Sequence, residues 1–268
     1  MYTFSNDHKK YLKKLKREKF LIRITQIFII VGFLLMWELL AHYKIINTFL
    51  YSCPSMVYKT ILKLYSSNDL LMHIGITVYE TILSFAIASF FGIIIATLLW
   101  WNKFISKVMD PYLTVINSLP KVALGPLIII WVGASTNSIV VMALMISLII
   151  SIINIYNGFV GTNNSFIKLL KTFNASKIQI FTKVVLPSNK LTIINAFKIN
   201  ISMSLIGVIM GELLVSKRGL GYLIMYGSQV FNINLVITSV VILGIVSYIM
   251  YYLISVIEKK LIKVKIHP

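Results

Sequence analysis

Residues 165–187 read SFIKLLKTFNASKIQIFTKVVLP, a lysine-bearing amphipathic segment in a chain that is otherwise almost entirely apolar. In its first half, Lys168, Lys171 and Thr172 share one side of a predicted helix. The apolar residues recur at the spacing that lines the opposite side: Phe166, Ile167, Leu169, Leu170 and Phe173. The pattern therefore predicts one short amphipathic helix with a single apolar face.

The second half of the segment predicts another short helix. Asn174 belongs to the few residue types that tolerate the left-handed backbone with which many helices end. Ser176, followed three residues later by Gln179, matches a capping box, and Pro187 limits the helix that this box opens. A membrane protein that exposes two short helices on its cytoplasmic side usually has a partner that grips them. The segment therefore predicts a docking element.

The rest of the chain has the composition of an integral membrane protein. Of its 268 residues 58% are hydrophobic, and the mean hydropathy is +0.86. Six stretches are long enough to cross a bilayer, which takes roughly 20 residues of helix: 20–43, 74–101, 111–133, 137–159, 191–215 and 233–257. The first is too long for a cleaved signal peptide, and no small-residue cleavage pattern follows it.

The positive charge of the chain sets its orientation. The net charge is +18, and with the N-terminus inside, most of the 26 Lys and Arg residues fall in cytoplasmic segments. This distribution obeys the positive-inside rule and predicts that both termini are cytoplasmic. The basic arm at 1–19 is expected to lie along anionic lipid headgroups. Because the charge follows membrane topology, it argues against a role in binding nucleic acid.

The sequence contains no recognisable motif for metal binding, nucleotide binding or catalysis. Cys53 is the only cysteine, and no cysteine–histidine spacing suits a metal. There is no GxxxxGK[ST] phosphate-binding loop, and no paired carboxylates or nucleophile–base pattern. We therefore expect a protein that is not an enzyme and has no catalytic, cofactor-binding or metal-binding residues.

The third predicted span is unusual because Pro111, Pro120, Gly125 and Pro126 punctuate it. A straight helix is unexpected there. Broken backbone at membrane depth survives where protein or a water-lined cavity satisfies the exposed polar groups. Two interpretations remain open: a segment bordering a translocation path, and a proline kink in a packed bundle.

Candidate residues within the spans fall into two groups. Charged or proline residues could border a path; this group is Pro120, Lys121, Pro126, Glu80 and Glu212. For Glu80, a structural hydrogen bond is an equal alternative. For Glu212, a local ion pair with Lys217 or Arg218, or a cap at the following bend, is favoured over substrate contact. Gly207 and Gly211 suit close helix packing, either within the bundle or across a dimer.

The segment at 165–187 resembles the cytoplasmic loop of type I ABC importer permeases. That loop runs Glu-Ala-Ala, three residues, Gly, about nine residues to Ile, and two more to Leu-Pro. Its later half matches Asn174-Ala175-Ser176 and Leu186-Pro187 well. The family's Glu falls at Lys168, its two Ala at Leu169 and Leu170, and its Gly at Asn174. The lysine reverses a charge near a helix start, where the dipole favours an anion by about 0.3–1 kcal/mol.

These departures leave two alternatives. Either the partner ATPase has a groove that compensates for the changed residues, which we favour, or this chain couples weakly to its ATPase. The loop at 164–187 is expected to couple to an ATPase through eleven residues: Phe166, Lys168, Leu169, Leu170, Lys171, Phe173, Asn174, Ala175, Ser176, Leu186 and Pro187.

Further stretches resemble the branch of this family that handles sulfonates, taurine, nitrate and thiamine-precursor pyrimidines. In order they are Trp37 to Leu40, Leu119 to Leu124 with Pro126 and Trp131-Val132-Gly133, and Gly207 through Glu212 to Gly219-Leu220-Gly221-Tyr222-Leu223-Ile224. The resemblance covers roughly residues 30–260. Several separated motifs in the same order carry more weight than any one alone.

The resemblance implies a complete organisation. The fold is expected to be an all-α integral membrane protein with about six transmembrane helices. The ranges are a basic arm at 1–19, a first helix at 20–43, an external segment at 44–72, the transport domain at 73–257 and a basic tail at 258–268. The chain is expected to be a permease in the bacterial cell membrane, moving a small solute inward.

The expected partners are cytoplasmic ATP-binding subunits, an extracytoplasmic solute-binding protein, a second permease copy and membrane lipid. ATP is bound by the partner and not by this chain. Two alternatives are a permease of an amino acid or metal-ion ABC system and, from another class, an ion-coupled secondary transporter. The latter is expected to carry inverted repeats with membrane carboxylates at matching positions, which the sequence does not display.

Overall fold

The computed structural model describes the backbone of residues 6–261 and the side chains of residues 11–258. The first part of the predicted basic arm and most of the predicted basic tail lie outside the described residues. Within the described range the secondary structure is helical, without a β-strand. The helices are α1 (Asn6–His42), α2 (Thr48–Tyr51), α3 (Pro54–Ser66), α4 (Asp69–Trp101), α5 (Lys103–Ser118), α6 (Gly125–Val132), α7 (Thr136–Val160), α8 (Asn164–Thr172), α9 (Lys177–Ile180), α10 (Leu186–Ser188), α11 (Lys190–Val215), α12 (Leu220–Gln229) and α13 (Ile233–Leu261).

Most of the predicted spans appear as single long helices. Five helices are long and apolar enough to cross a membrane: α1, α4, α7, α11 and α13. The third predicted span is instead a pair of helices, α5 and a 3₁₀ turn leading into α6, which meet at 84°. Counting this bent pair as one span gives six. The predicted break is therefore confirmed.

The first two prolines of the third predicted span have different effects on the helix. Pro111 lies inside α5, and the helix starts upstream of it at Lys103. The chain leaves the helix at Leu119, whose extended backbone (φ −62°, ψ 140°) is the conformation that a following proline imposes. Pro120 therefore makes the bend, and Pro111 does not.

The centre of the bundle consists of α4, α7 and α11. The buried residues of α4 between Thr77 and Ala96 are mostly small or hydroxyl-bearing, and Gly92 lies directly against Ser151 of α7. Small side chains let helix backbones approach closely where lipid gives no hydrophobic drive for association. At one end of this core, α3, α12 and α13 add a cluster around Leu220 and Leu223. At the other end, the segment after α7 packs around Phe159.

Helix α1 lies outside this core, and its apolar side chains are exposed along the span. Near its C-terminal end, where Ala41 is buried, α1 is also linked to the rest by a hydrogen bond: the backbone N–H of Ser55 donates to Glu38 Oε2 at 3.0 Å. Ser55 lies in the first turn of α3, where a carboxylate satisfies an N–H that has no partner within the helix. Glu38 therefore caps α3.

Gly207 and Gly211 pack within the chain. A Cβ at Gly207 would overlap the Ala143 backbone, and one at Gly211 would lie 2.9 Å from Cα of Ile139. Both contacts join α11 to α7, so the close approach needs no second copy.

We expect Gly207→Ala to lower the stability of the detergent-solubilised chain by about 1–3 kcal/mol, because the two helices must separate to admit a methyl group. Gly75→Ala is the matched control, since a Cβ there meets nothing within 4 Å. Thermal unfolding followed by tryptophan fluorescence measures both. Equal melting temperatures for the two variants would contradict the close contact.

Candidate functional site

The segment of residues 163–189 is predicted to be cytoplasmic from the charge distribution, and we name it the cytoplasmic segment. It begins with a well-capped short helix. The side chain of Asn163 accepts from the N–H of Ser165 at 2.8 Å, and α8 carries no acidic residue in its first turn. A neutral amide thus caps α8, and Lys168 follows at the start of its second turn. Asn174 ends the helix with φ +53°, and the N–H of Ala175 reaches back to the carbonyl of Leu170 at 3.0 Å. The predicted left-handed residue is confirmed.

The second helix starts as the sequence predicts and ends differently. The N–H of Ser176 donates to Gln179 Oε1 at 2.8 Å, and the N–H of Gln179 donates to Ser176 Oγ at 3.3 Å, so the capping box is confirmed. The chain then passes through a π-helical stretch at Phe181–Val185 and continues through Pro187 to Ser188. A proline removes the hydrogen bond to the carbonyl four residues earlier. A π-helical turn accommodates it because the hydrogen bonds there join residues five apart. Pro187 thus lies within the helical run.

The apolar residues of α8 divide between two faces, which corrects the prediction of a single face. Phe166, Leu169 and Phe173 are 54%, 54% and 73% exposed. Ile167 and Leu170 instead pack onto the body of the permease. The spacing explains the division, because residues 166, 169 and 173 cluster on one side of a helix of 3.6 residues per turn. We name these three residues the exposed apolar face.

The inward side anchors the cytoplasmic segment to the bundle. Five of its residues contact a cluster that includes Ala96 of α4, Ile155 and Phe159 of α7 and Ala196 of α11; they are Ile167, Leu170, Ala175, Phe181 and Leu186. The end of the segment is anchored by a buried amide: Asn189 Nδ2 donates to Thr162 Oγ1 at 2.7 Å and to the carbonyl of Val185 at 2.8 Å. The segment therefore moves with the helix ends that it contacts.

The eleven residues expected to face a partner are accordingly split. Leu170, Ala175 and Leu186 are partly buried against the permease itself. The other eight are exposed: Phe166, Lys168, Leu169, Lys171, Phe173, Asn174, Ser176 and Pro187. The sequence carried no signal for this division, because it depends on where α4, α7 and α11 end.

A second polar site lies at the start of α12, near the predicted outer surface. Three successive backbone N–H groups are bound by side chains of two other helices: Gly219 N–H donates to His73 Nδ1 at 2.9 Å, Leu220 N–H to Thr77 Oγ1 at 2.9 Å, and Gly221 N–H to Glu212 Oε2 at 2.6 Å. These groups are the donors that a helix start leaves unpaired. The carboxylate also lies at the positive end of the helix dipole.

Thr77 and Glu212 bind each other as well as the backbone. Thr77 Oγ1 donates to Glu212 Oε1 at 2.6 Å, and both residues are buried, Glu212 being 1% exposed. Glu80, which is 2% exposed, lies against Glu212. We name these side chains, with His73 and the backbone of 219–221, the Glu212 network. Glu212 thus acts as a cap, and no ion pair to Lys217 or Arg218 occurs among the side chains of residues 11–258.

The candidate path residues therefore do not form one group. Glu80 and Glu212 meet inside the bundle of a single chain. Lys121 lies at the bend between α5 and α6, where its Nζ donates to the carbonyl of Asn117 at 2.7 Å. The Glu212 network was missed as a unit, although its parts, a glutamate followed by Gly-Leu-Gly, were visible in the sequence.

We expect Thr77→Val to destabilise the chain by about 2–4 kcal/mol, because it leaves the Leu220 N–H and one Glu212 oxygen buried without a partner. Thr81→Val is the control: Thr81 is equally buried on α4, but its hydroxyl bonds only to the carbonyl of residue 77 in its own helix. Thermal unfolding in detergent distinguishes them. Equal melting temperatures of the two valine variants would show that the Glu212 network does not contribute to stability.

The fold and these sites define a multi-pass membrane component of a transport system. Residues 88–263 match the family described as the binding-protein-dependent transport system inner membrane component. A probable ABC transporter permease protein of Haemophilus influenzae is 30% identical over 233 residues, covering 86% of this chain and 94% of that protein. The chain therefore belongs to the binding-protein-dependent ABC importer permeases, as predicted.

Two further relatives carry more specific names. A putative aliphatic sulfonates transport permease protein of Bacillus subtilis is 24% identical, covering 85% of this chain and 82% of the relative. The formylaminopyrimidine transport permease protein of Halalkalibacterium halodurans is 28% identical over 150 residues, covering 56% of this chain and 60% of the relative. Both belong to the branch that the sequence motifs resemble.

Among solved structures, the inward-facing MetNI methionine ABC transporter superposes with a TM-score of 0.59 at 19% identity, covering 69% of this chain and 94% of that chain. This likeness confirms the type I importer permease fold. The predicted all-α, multi-pass inner-membrane protein is confirmed with it.

Proposed function

We propose that the cytoplasmic segment docks this permease onto an ATP-binding subunit, whose ATP hydrolysis drives import. The observation that carries the proposal is the exposed apolar face of Phe166, Leu169 and Phe173 on a segment that is otherwise anchored. The charge distribution supports a cytoplasmic location for this face, away from the hydrocarbon of the bilayer. Clustered exposed aromatic and aliphatic side chains are typical of a surface that a partner covers.

The anchoring makes the segment suitable for transmitting force. A partner that moves the exposed apolar face also moves the ends of α4, α7 and α11, because the inward residues hold the segment to all three. Lys168 is exposed beside this face. We propose that an acidic or polar group of the ATP-binding subunit lies opposite it, which is the compensating groove that the charge reversal calls for.

We further propose that two copies of the chain form the translocation path. Helix α5 contains no buried residue, and α6 exposes Leu127, Ile130 and Trp131. An apolar, bent span left open on one chain fits a wall completed by a symmetric partner. Pro120, Lys121 and Pro126 remain our candidates for bordering the path, and we assign Glu80 and Glu212 to holding α12 in place.

For the solute, we propose a small sulfonate or a thiamine-precursor pyrimidine, delivered by an extracytoplasmic binding protein. The support is the two relatives named for those solutes, together with the motifs shared with that branch, which also includes taurine and nitrate permeases. In this proposal the binding protein selects the solute. The permease sequence therefore defines only a broad class of solutes.

The experiment is affinity purification of the tagged chain from its native membrane in mild detergent, with each co-purifying protein identified. We expect an ATP-binding subunit in stoichiometric amount. The assembly is then reconstituted in vesicles with its binding protein, and ATP-dependent uptake of an alkanesulfonate, taurine, nitrate, a formylaminopyrimidine, an amino acid and a divalent metal ion is compared.

Uptake of the alkanesulfonate, taurine or the formylaminopyrimidine that requires both ATP and the binding protein would establish the proposal, whereas uptake of nitrate alone would overturn the proposed solute class. Purification without any ATPase, repeated after chemical crosslinking, would overturn the docking role of the segment. Uptake of an amino acid or metal ion alone would overturn the solute class and leave the docking role standing.

A further inference from the structure

A large cavity opens at the cytoplasmic end of the bundle, between the membrane helices and the cytoplasmic segment. Its volume is about 780 Å³. The cavity is bounded by the end of α4, the start of α5, the end of α7, and α8 with α9. Its apolar lining comes from Leu99, Trp100, Phe159, Val160, Ile167 and Ile180. This volume lies within the range of sites that hold a bound small molecule.

The polar lining of this cavity is strongly basic. Lys103 and Lys107 project from α5, Lys171 from α8 and Lys177 from α9, and no carboxylate lines the cavity. Asp110 is the acidic residue of α5. Among side chains of residues 11–258, none of the four lysines forms an ion pair with it or with any other carboxylate.

Neutral polar groups also line the cavity. The hydroxyl groups of Ser106 and Tyr156 bond each other, linking α5 to α7. Lys177 donates to the carbonyl of Trp101, and its Nζ lies 5.4 Å from the Trp101 ring centre. The position of one ammonium group is therefore set by protein contacts, and the other three lysines line the same cavity.

Four like charges around one cavity repel one another and call for an anion. A phosphate suits ammonium groups, which bind it as point charges. The apolar lining is unsuited to a free, fully hydrated ion but well suited to acyl chains. The location adds a further constraint: Trp100 and Trp101 mark the membrane–water interface, and anionic lipid is concentrated in the cytoplasmic leaflet.

We propose that this cavity binds the phosphate of an anionic phospholipid from the inner leaflet. Lys103, Lys107 and Lys171 surround the phosphate, and the apolar lining contacts the upper part of the acyl chains. The lipid connects α5, which leads to the bent span, with α8, which carries the exposed apolar face. Lipid composition thereby bears on how the cytoplasmic segment sits against the membrane helices.

The test uses the full-length chain with whatever subunits co-purify, in nanodiscs that contain phosphatidylglycerol and phosphatidylcholine in equal amounts. Native mass spectrometry counts each lipid retained per chain. The variant is Lys103→Gln with Lys107→Gln. The control is Lys183→Gln with Lys190→Gln, the same charge change at exposed cytoplasmic positions that do not line the cavity.

We expect the wild type and the control to retain phosphatidylglycerol in preference to phosphatidylcholine. The cavity variant should bind phosphatidylglycerol about fivefold more weakly for each lysine removed, hence roughly 25-fold for the pair. Melting temperatures of both double variants in phosphatidylcholine show that they are folded.

Equal retention of the two lipids by the wild type would overturn the proposal. The same holds if the control loses phosphatidylglycerol as strongly as the cavity variant does. A last arm adds inorganic phosphate to nanodiscs of phosphatidylcholine alone. The lipid assignment fails, and the ligand is free phosphate, if two results hold together. Phosphate stabilises the wild type as much as phosphatidylglycerol does, and phosphate does not stabilise the cavity variant.

Discussion

Replacing Phe173 by Asp should abolish association of the permease with its ATP-binding subunit while leaving the permease folded. Phe173 is 73% exposed and forms the C-terminal end of the exposed apolar face. Aromatic residues at the centre of interfaces contribute about 2–4 kcal/mol, so binding should weaken on the order of 30- to 1,000-fold. Co-purification of the two subunits and permease-dependent ATP hydrolysis measure the loss.

Two comparison variants separate docking from folding. Tyr65→Asp makes the same kind of change at an aromatic residue that is 61% exposed on α3, on the predicted outer side, and should leave association intact. Leu170→Asp buries a carboxylate against the permease and should lower its melting temperature, because Leu170 faces inward. A Phe173→Asp protein that still retains the ATPase would remove this residue from the interface.

Gly219→Ala should be the most destabilising single methyl addition in the Glu212 network. Gly219 has φ +106°, a conformation that only glycine adopts without strain, and alanine there costs about 1–3 kcal/mol. The added Cβ would also overlap the carboxylate of Glu212. Because that carboxylate caps Gly221, the substitution breaks the cap as well as straining the backbone. Thermal unfolding and expression in the membrane fraction measure the effect.

Alanine variants of other glycines distinguish the two causes of destabilisation, which are backbone strain and steric overlap. Gly133 has φ +87° but open space around its Cβ position, so Gly133→Ala reports backbone strain alone. Gly221 is helical, and a Cβ there would lie 2.7 Å from the Glu212 Cβ, so Gly221→Ala reports steric overlap alone. Gly244→Ala meets neither condition and should be neutral. A Gly219→Ala protein as stable as Gly244→Ala would refute the capping role of Glu212.

Features that depend on neighbouring residues could be predicted from the sequence. The left-handed turn at Asn174 and the capping box of Ser176 with Gln179 each involve backbone groups within a few residues. The break before Pro120 follows from the restriction that proline places on the residue before it. Family membership was predictable for a different reason, since several ordered motifs agreed.

Features that depend on packing between distant helices could not be predicted. The pattern of α8 does not reveal that Leu170 faces inward while Leu169 faces outward, because both belong to one apolar stripe. For Glu212 the sequence predicted a cap or an ion pair at the following bend, but it did not reveal that Thr77, 135 residues away along the chain, takes part in the cap. The passage of the helix through Pro187 depended on a π-helical stretch that no local pattern signals.

The two-sided arrangement of α8 has a consequence for re-engineering the transporter. In the proposed docking, the exposed apolar face contacts the ATP-binding subunit, while neighbouring side chains of the same helix hold the segment to the permease. Exchanging Phe166, Leu169 and Phe173, together with Lys168, for the equivalents of another permease should therefore redirect this chain to a foreign ATPase without repacking its core. Two importers that do not exchange their ATPases could then operate side by side in one cell.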